Sequence, residues 1–597
     1  MLKKDNDISI LKVIKTVIPM MVKASKSGMI ICIVVGFLIS ISWFSITYFT
    51  EKFFDQASIL VNGESSIEKA VLFGIMLGVA LLVGHLINAV LNAQATILSG
   101  KAAGYITNIV NKKVSRIQTI EFEDTSRLND INKANNGAYG VVHLVFTGIL
   151  ILTGYLSYFI FMSIYLYKLN PILSLVILCA FIPVIINQVI RIKIFAKLED
   201  ESAPLRREFE YNEKYLIDRE FFKETRLLGG FKYFNKRYEN SLESLNEKIW
   251  KAEKKSNTLE ILMKSFTIVG YGLTLYLLFR SLMDGKITVG AFTAVLTSIE
   301  MIFGMAEELI CSQIGGLAQE LGSVKNLVRF LEIPEKGGKE IEFNNAPSLE
   351  IKNMSFSYPQ SDTLILKDIN LKIDAKETIA IVGSNGAGKS TLMRVLIGLY
   401  PATKGEVLIN GYDMKNISNE SIFKNTSAVF QKFERYKFDL RENITISDIN
   451  NSKDEKVLDV LDETDIEVNS RSFENGLDTL LSKEFGGTDL SGGQWQRVAI
   501  ARSLYKFNNF IVLDEPTAAI DPVEEGKIFN KFKELSKDKT AIIVTHRMGT
   551  VKIADRVVVL DKGEILQIGT HEELLSINGQ YKTMYDAQSK WYDRSLI

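Results

Sequence analysis

The sequence is poor in the residues that would build a disulfide-bonded or metal-bound fold. It contains three cysteines in 597 residues, and no CxxC pair or Cys/His cluster. Because Cys32, Cys179 and Cys311 lie in or at the end of apolar runs, we expect three buried free thiols. Net charge is also lacking, since 70 Lys and Arg balance 70 Asp and Glu. A nucleic-acid-binding protein usually has a basic excess, so we expect no nucleic acid partner.

Long apolar runs are abundant in the first half of the chain. A bilayer core of ~30 Å is crossed by ~20 helical residues, and six segments satisfy this length. These segments are Met29–Phe49, Lys69–Asn92, Val141–Tyr167, Pro171–Val189, Thr258–Met283 and Thr288–Ile310. The alternative is a soluble helical bundle, but so many unbroken apolar runs would be difficult to hide from water. The first half therefore predicts an all-α domain with six transmembrane helices.

Lysine and arginine predict the orientation of this domain. They are concentrated in the connections between the second and third spans and between the fourth and fifth, whereas the other connections are short or mildly acidic. Since positive loops stay in the cytoplasm, we predict a multi-pass plasma-membrane protein with both termini cytoplasmic. The two long connections have few prolines and many Glu/Lys pairs, which favours helices that extend the spans into the cytosol.

Four regions follow along the chain. Residues 1–28 place Ile8, Leu11, Ile14 and Ile18 on one helical face among lysines, which predicts an interfacial helix; a solvated lead-in is the alternative. Residues 29–330 form the transmembrane domain, and residues 331–348, rich in Pro, Gly and Asn, form a linker. Residues 349–597 alternate short β-rich runs with helical ones, which predicts an α/β domain.

A phosphate-binding loop lies near the start of this α/β domain. ETIAIV reads as a buried strand, GSNGAGKST follows it, and LMRVLIGLY reads as a helix. In this context the loop amides and the helix N-terminus face phosphates, Lys389 adds a charge and Ser390 offers a hydroxyl to Mg²⁺. The sequence thus predicts an ATP and Mg²⁺ site formed by Gly383, Ser384, Asn385, Gly386, Ala387, Gly388, Lys389, Ser390 and Thr391.

A second apolar strand, FIVLDEP, ends in two carboxylates. Asp514 suits Mg²⁺ binding through water, and Glu515 is placed to polarise the water that attacks a γ-phosphate. The alternative interpretation is a pair of carboxylates that cap a surface strand.

LSGGQ at Leu490–Gln494 resembles the signature sequence of ABC ATPases. Further matches occur in that family's order. The resemblance implies adenine stacking on Tyr358, a metal-linking glutamine at Gln431, a γ-phosphate-sensing His546, and Asp521 after the catalytic glutamate. Asp521 stands in AAID, where the family more often has a Ser-Ala-Leu-Asp run. It also implies Mg²⁺ ligands at Ser390, Gln431 and Asp514, catalytic roles for Glu515, His546 and Gln431, and signature contacts to ATP from Ser491, Gly492, Gly493 and Gln494.

The six-span layout resembles the exporter class of ABC transporters. In that class the signature of one subunit faces the ATP held by the other, so two chains are needed and a homodimer is the simplest assembly; a heterodimer stays open. FEDTSRLNDINKA (Phe122–Ala134) and EFFKETRLLGG (Glu220–Gly230) look like the family's coupling segments, with exposed loop helices of no mechanical role as the alternative.

The cargo prediction depends on a finer resemblance. VFQKFERYKFDLRENI and LSGGQWQR look most like exporters of lanthipeptides and related bacteriocins. This resemblance implies a modified peptide that arrives with its leader or is trimmed by another enzyme, since no N-terminal protease domain is expected, and it implies cytoplasmic modification enzymes as partners. A multidrug or lipid exporter, or a non-transporting ATP-dependent sensor, is the alternative. Glu300, with Asn88 and Asn92, either lines a polar cavity for a cationic peptide or hydrogen-bonds between helices.

Overall fold

The computed structural model describes residues 8–61, 63, 66–515, 526, 532–534 and 536–589. Its contacts divide the chain into two compact units. The helical unit consists of residues 1–112 and 130–332, and the sheet unit of residues 113–129 and 333–597. The predicted linker at 331–348 and the other region boundaries stay predictions. A segment that the sequence assigned to the membrane domain, residues 113–129, packs with the sheet unit.

The helical unit is built from long helices joined by short turns. They are α1 (Ile10–Val61), α2 (Ile67–Val114), α3 (Thr125–Leu150), α4 (Leu156–Leu169), α5 (Pro171–Ala180), α6 (Ile182–Ile217), α7 (Phe222–Leu227), α8 (Phe231–Met283), α9 (Val289–Glu307) and α10 (Gly315–Leu331). Five-residue and seven-residue π-helical turns join α3 to α4 and α9 to α10. Among the described residues, six helices are long and apolar enough to cross a membrane, which confirms the six predicted spans.

The first helix has a break where the predicted interfacial segment meets the first span. Ser25 leaves helical geometry, with φ −162° and ψ 82°. Before the break Leu11, Ile14 and Ile18 are exposed, whereas Ile8 precedes the helix and is buried. The interfacial placement of this segment stays a prediction.

Helices α1 and α9 approach each other closely through small polar residues. Thr47 Oγ1 lies 2.6 Å from Ser298 Oγ, and the Gly290 amide donates to Asp55 Oδ1 at 2.8 Å. A Cβ on Gly290 would lie 2.2 Å from the carbonyl oxygen of Glu51. Small residues and interhelical hydrogen bonds are the usual means of holding helices together in lipid.

The prediction of three buried thiols is wrong in part. Cys32 is buried, but Cys179 is exposed on α5 and Cys311 is half-buried. An apolar run does not imply burial within protein on a candidate spanning helix, because lipid is as apolar as a protein core.

The sheet unit contains two sheets and short helices. Its strands are β1 (Leu349–Phe356), β2 (Leu366–Ile373), β3 (Thr378–Gly383), β4 (Lys404–Ile409), β5 (Tyr412–Asp413), β6 (Thr426–Val429), β7 (Phe510–Asp514), β8 (Thr540–Val544), β9 (Arg556–Asp561) and β10 (Glu564–Gly569). Its helices are α11 (Lys389–Leu396), α12 (Asn419–Lys424), α13 (Leu440–Thr445), α14 (Asp454–Glu463), α15 (Gly492–Tyr505), α16 (His571–Ser576) and α17 (Gln580–Ser589).

The larger sheet has the order β10-β9-β3-β8-β7-β6, and the smaller has the order β2-β1-β4-β5. Strands β9, β3, β8, β7 and β6 run parallel, and β10 is an antiparallel edge. Every residue of β3 and β7 is buried, as expected for central parallel strands with no polar alternation. The six-helix membrane domain followed by an α/β domain confirms the predicted fold class.

We predict that Gly290→Ala destabilises the helical unit, because its methyl group would meet the rigid backbone of α1. Overpacking of this kind costs about 1–3 kcal/mol. The melting temperature of the purified chain in detergent should fall by several degrees. Gly304→Ala, on the same helix with open space around its Cβ position, should leave it unchanged. Equal melting temperatures for the two variants would show that the close approach is absent.

Candidate active site

The glycine-rich loop after β3 has the shape of a phosphate cradle. Gly383 permits a close approach, since a Cβ there would lie 2.0 Å from the carbonyl oxygen of Leu560. Gly388 precedes α11 and has φ 99°, a left-handed backbone conformation that residues other than glycine rarely adopt. Ser384, Asn385 and Gly386 are exposed at the tip of the loop. The loop amides and the first turn of α11 thus leave room for an anion.

Lys389 lies inside this loop and is 7% exposed. Its Nζ donates to the carbonyl oxygens of Gly383 and Ser384 at 3.0 and 3.1 Å. Burial lowers the pKa of Lys389, and the carboxylates of Glu515 and Asp514 partly oppose that shift. A phosphate group would add negative charge beside this buried ammonium.

Ser390 and Asp514 form the predicted metal side of the site. Ser390 Oγ donates to Asp514 Oδ1 at 3.3 Å, and Asp514 is 3% exposed. Burial raises the pKa of the Asp514 carboxyl, the hydrogen bond from Ser390 opposes the shift, and the charge of Glu515 adds to it. A buried carboxylate beside a hydroxyl fits Mg²⁺, because Mg²⁺ prefers oxygen ligands and would compensate this charge.

Glu515 lies against polar side chains from two other loops. Gln431 Nε2 donates to Glu515 Oε2 at 2.8 Å, and His546 Nδ1 lies 3.0 Å from Glu515 Oε1. Glu515 has φ 47°, a left-handed conformation that costs energy for a residue with a side chain. The structure therefore brings together the three residues predicted to be catalytic, and a hydrogen bond from the Glu515 amide to the Val544 carbonyl at 2.9 Å fixes the backbone.

Tyr358 lies beyond β1 and beside α11. Its hydroxyl lies 3.2 Å from Thr391 Oγ1, and its ring centroid lies 5.1 Å from that of Phe356. These contacts fix the Tyr358 ring next to α11. A role in stacking on adenine stays a prediction.

The helix that carries the signature residues packs in a different core cluster from the helix after the phosphate loop. Ser491 caps α15 by accepting from the Gln494 amide at 3.2 Å, while its own amide donates to Gln494 Oε1 at 3.0 Å. The α15 side chains Trp495 and Val498 pack with Leu440 of α13, whereas the helix after the phosphate loop packs on the sheet core. Gly492 and Gly493 form the first turn of α15. Asp521 lies outside the described residues.

The sequence did not reveal the partner residues of the first predicted coupling segment. The Tyr400 hydroxyl donates to Glu123 Oε1, and Gln360 Nε2 donates to Asp124 Oδ1 at 2.7 Å. Burial and the hydrogen bond to Glu123 raise the pKa of Tyr400. Ile120, in the same turn as Glu123, enters the core of the sheet unit. No local pattern in the sequence pairs residues so far apart.

Two family models match the chain. Residues 222–306 match the model described as ABC transporter transmembrane region, and residues 366–518 match the model described as ABC transporter. The fold is similar to that of a bacterial Atm1-family ABC exporter with ATP bound. That likeness has a TM-score of 0.76 at 21% identity and covers 94% of this chain and 100% of the exporter chain.

Among curated proteins, the chain is 34% identical to the subtilin transport ATP-binding protein of Bacillus subtilis over 384 residues, which are 63% of the chain and 62% of that protein. It is 32% identical to the nisin transport ATP-binding protein of Lactococcus lactis over 383 residues, 62% of the chain and 63% of that protein. The chain thus spans less than two thirds of these relatives. An ATP-dependent lipid A-core flippase of Alcanivorax borkumensis also matches, with 28% identity over 365 residues, 61% of the chain and 62% of the flippase.

We predict that Glu515→Gln binds ATP but hydrolyses it about 100-fold more slowly or worse, since removal of a general base costs 10²–10⁴-fold. The measurement is phosphate release alongside binding of a fluorescent ATP analogue. The control is Glu564→Gln, which changes an exposed carboxylate of the same sheet. Hydrolysis by Glu515→Gln at the control's rate would exclude Glu515 as the base.

A second prediction concerns the buried hydroxyl of Tyr400. Tyr400→Phe removes the hydrogen bond to Glu123 and should speed hydrogen–deuterium exchange of the amides in residues 117–124. Tyr412→Phe, which removes an exposed hydroxyl, is the matched control. Unchanged exchange in both variants would mean that this hydrogen bond does not hold the segment.

Proposed function

We propose that this chain, a member of the ABC transporter family in which the transmembrane region and the ATPase domain are joined in one polypeptide, is half of an ATP-driven exporter. Two copies hydrolyse ATP and move a modified peptide, such as a lanthipeptide or bacteriocin, out of the cytoplasm across the plasma membrane. The two long connections between the spans carry an excess of lysine and arginine, and positively charged loops stay in the cytoplasm. Both termini therefore lie in the cytoplasm in this proposal.

The observation that carries the enzymatic part is the convergence of Gln431 and His546 on the Glu515 carboxylate. In hydrolysis, water attacks the γ-phosphorus, the bond from that phosphorus to the bridging oxygen breaks, and ADP and phosphate leave. Glu515 accepts the proton of the attacking water. Gln431 and His546 hold its carboxylate in place, and Lys389 meets the charge of the phosphate oxygens.

Mg²⁺ would be held by Ser390, Asp514 and Gln431, and when bound it supplies positive charge that neutralises the phosphate oxygens. The protein residues do the remaining work. The oxygen-rich set fits that ion, and the buried Asp514 carboxylate gains a counter-charge from it.

The dimeric part of the proposal rests on the placement of the signature. Ser491 caps α15 and Gly492 begins it, so they form a helix N-terminus that attracts anions, and the helix that follows packs with a different core cluster from the helix after the phosphate loop. A second copy that presents this N-terminus to the bound ATP would use both features. ATP would then hold the two ATPase domains together, and hydrolysis would release them.

The cargo part is supported by the names of the relatives that transport subtilin and nisin. The lipid A-core flippase supports a lipid exporter as the alternative. A peptide exporter and a lipid exporter would share the ATPase residues. The difference between them therefore lies in the transmembrane region.

The experiment measures ATPase activity of the full chain in nanodiscs with three additives: leader-bearing nisin precursor, lipid A-core and ethidium. We expect the precursor peptide to stimulate hydrolysis at least about twofold and the lipid and drug to have no effect, because only the correct cargo favours closure of the dimer. Inside-out vesicles should take up the labelled precursor only with ATP and not with Glu515→Gln.

Stimulation by lipid A-core or ethidium alone would replace the peptide by a lipid or a drug as cargo. Hydrolysis without ATP-dependent uptake of any of the three would contradict export. Full activity of a chain confined as a monomer in its nanodisc would contradict the dimer.

A further inference from the structure

A cavity of about 360 Å³ opens between helices α6, α8 and α9 of the helical unit. Its lining includes four charged side chains, which is unusual for a region built from apolar spans. These are the carboxylates of Glu260, Glu300 and Glu307 and the ammonium of Lys264. The cavity therefore has an excess of two negative charges when all four groups are ionised.

Ion pairs account for two of the three carboxylates. Lys264 Nζ lies 2.7 Å from Glu307 Oε1 and 3.0 Å from Glu260 Oε1, and Arg191 lies 3.4 Å from Glu260 Oε2. Among the residues that the structure describes, Glu300 has no such ion pair. A carboxylate in a spanning helix is costly, so it is expected to meet a cation or water.

An independent observation points to a ligand in the same cavity. Asn187 lines it and is 4% exposed, and its side-chain oxygen Oδ1 is buried without a hydrogen-bond donor among the described residues. A buried acceptor left unsatisfied is costly, so such atoms are rare unless another molecule supplies the donor. The missing partner at Asn187 is a donor, as an ammonium would be.

Most of the remaining wall is aromatic or apolar. Phe303 packs on Phe181 with ring centroids 5.0 Å apart and on Tyr271 with centroids 5.5 Å apart. A ligand that fills this space needs an apolar group beside its charge. Asn88 and Asn92, which the sequence grouped with Glu300, are exposed on α2 and are not part of this lining.

We propose that this cavity binds an amphipathic, positively charged part of the transported molecule. A primary ammonium would lie at Glu300 and Asn187, and an apolar group would lie against Phe303. The proposal deepens the proposed function, on which it rests for the statement that the ligand is cargo. A lysine side chain of a peptide and the headgroup of phosphatidylethanolamine share this ammonium chemistry, so the test separates them.

The test measures binding, without ATP, of a fluorescein-labelled dodecapeptide of alternating lysine and leucine to the full chain in phosphatidylcholine nanodiscs. Glu300→Gln should weaken binding about 10-fold, since the variant loses the charge-assisted hydrogen bond to the ammonium. Glu243→Gln changes an exposed carboxylate of α8 outside the cavity lining and should leave the affinity unchanged.

Lys264→Gln provides a change of opposite sign. It removes the only positive charge that the described lining contains, so the peptide should bind several-fold more tightly, a result that misfolding would not produce. The same peptide with acetylated lysines should lose its affinity. If the site selects the peptide, adding phosphatidylethanolamine to the nanodiscs should change the peptide affinity less than twofold. A tenfold loss of peptide affinity would show that the lipid occupies the site.

Equal affinities of Glu300→Gln and the unsubstituted chain would overturn the cavity proposal, whatever the outcome of the transport assay. Conversely, tight Glu300-dependent binding with no ATP-dependent uptake of precursor would leave the cation site standing and contradict the export proposal. The two failures are thus distinguishable.

Discussion

The parallel hydrogen bonding of five neighbouring strands is the constraint on which the arrangement of the candidate site residues depends. Parallel strands expose their carboxyl ends at one edge, so loops that are far apart in sequence meet there. The phosphate loop follows β3, Gln431 follows β6, Asp514 and Glu515 end or follow β7, and His546 follows β8. The residue-by-residue register of β6, β7, β8 and β3 then fixes how far each side chain reaches. A slip of β6 or β8 against β7 would separate Gln431 or His546 from the Glu515 carboxylate.

The sequence predicts this edge well because the signals are local. TIAIV and FIVL are short β-forming runs without charged residues, and each is followed directly by candidate site residues. What it does not predict is the pairing between distant loops. The hydrogen bond from Gln431 to Glu515 spans 84 residues of sequence, and only the strand order decides that these residues are neighbours. The resemblance to ABC ATPases named the residues, and the geometry explains why they meet.

In the helical unit the balance is different. Length and apolarity are sufficient to locate the spans, because the bilayer sets both. Which face of a helix meets which neighbour is not encoded in apolarity, since lipid and protein interior are equally apolar. This is why Cys179 was wrongly expected to be buried, and why Asn88 and Asn92 were grouped with Glu300 although they do not line its cavity. Charged groups are more informative there: the ion pair of Lys264 with an acidic neighbour follows from the cost of a lone ammonium in such a region.

The turn at Thr119–Glu123 means that the sheet unit is discontinuous in sequence. Ile117 and Ile120 are buried, and Ile120 belongs to the same core as the strands around the phosphate loop. A fragment that begins at β1 would therefore lack part of its hydrophobic core and would expose to water the apolar surface that Ile120 covers. A chimera that takes only its C-terminal half from a relative would pair that half with a foreign turn and lose the same packing. Such a chimera should therefore include the turn of the same relative.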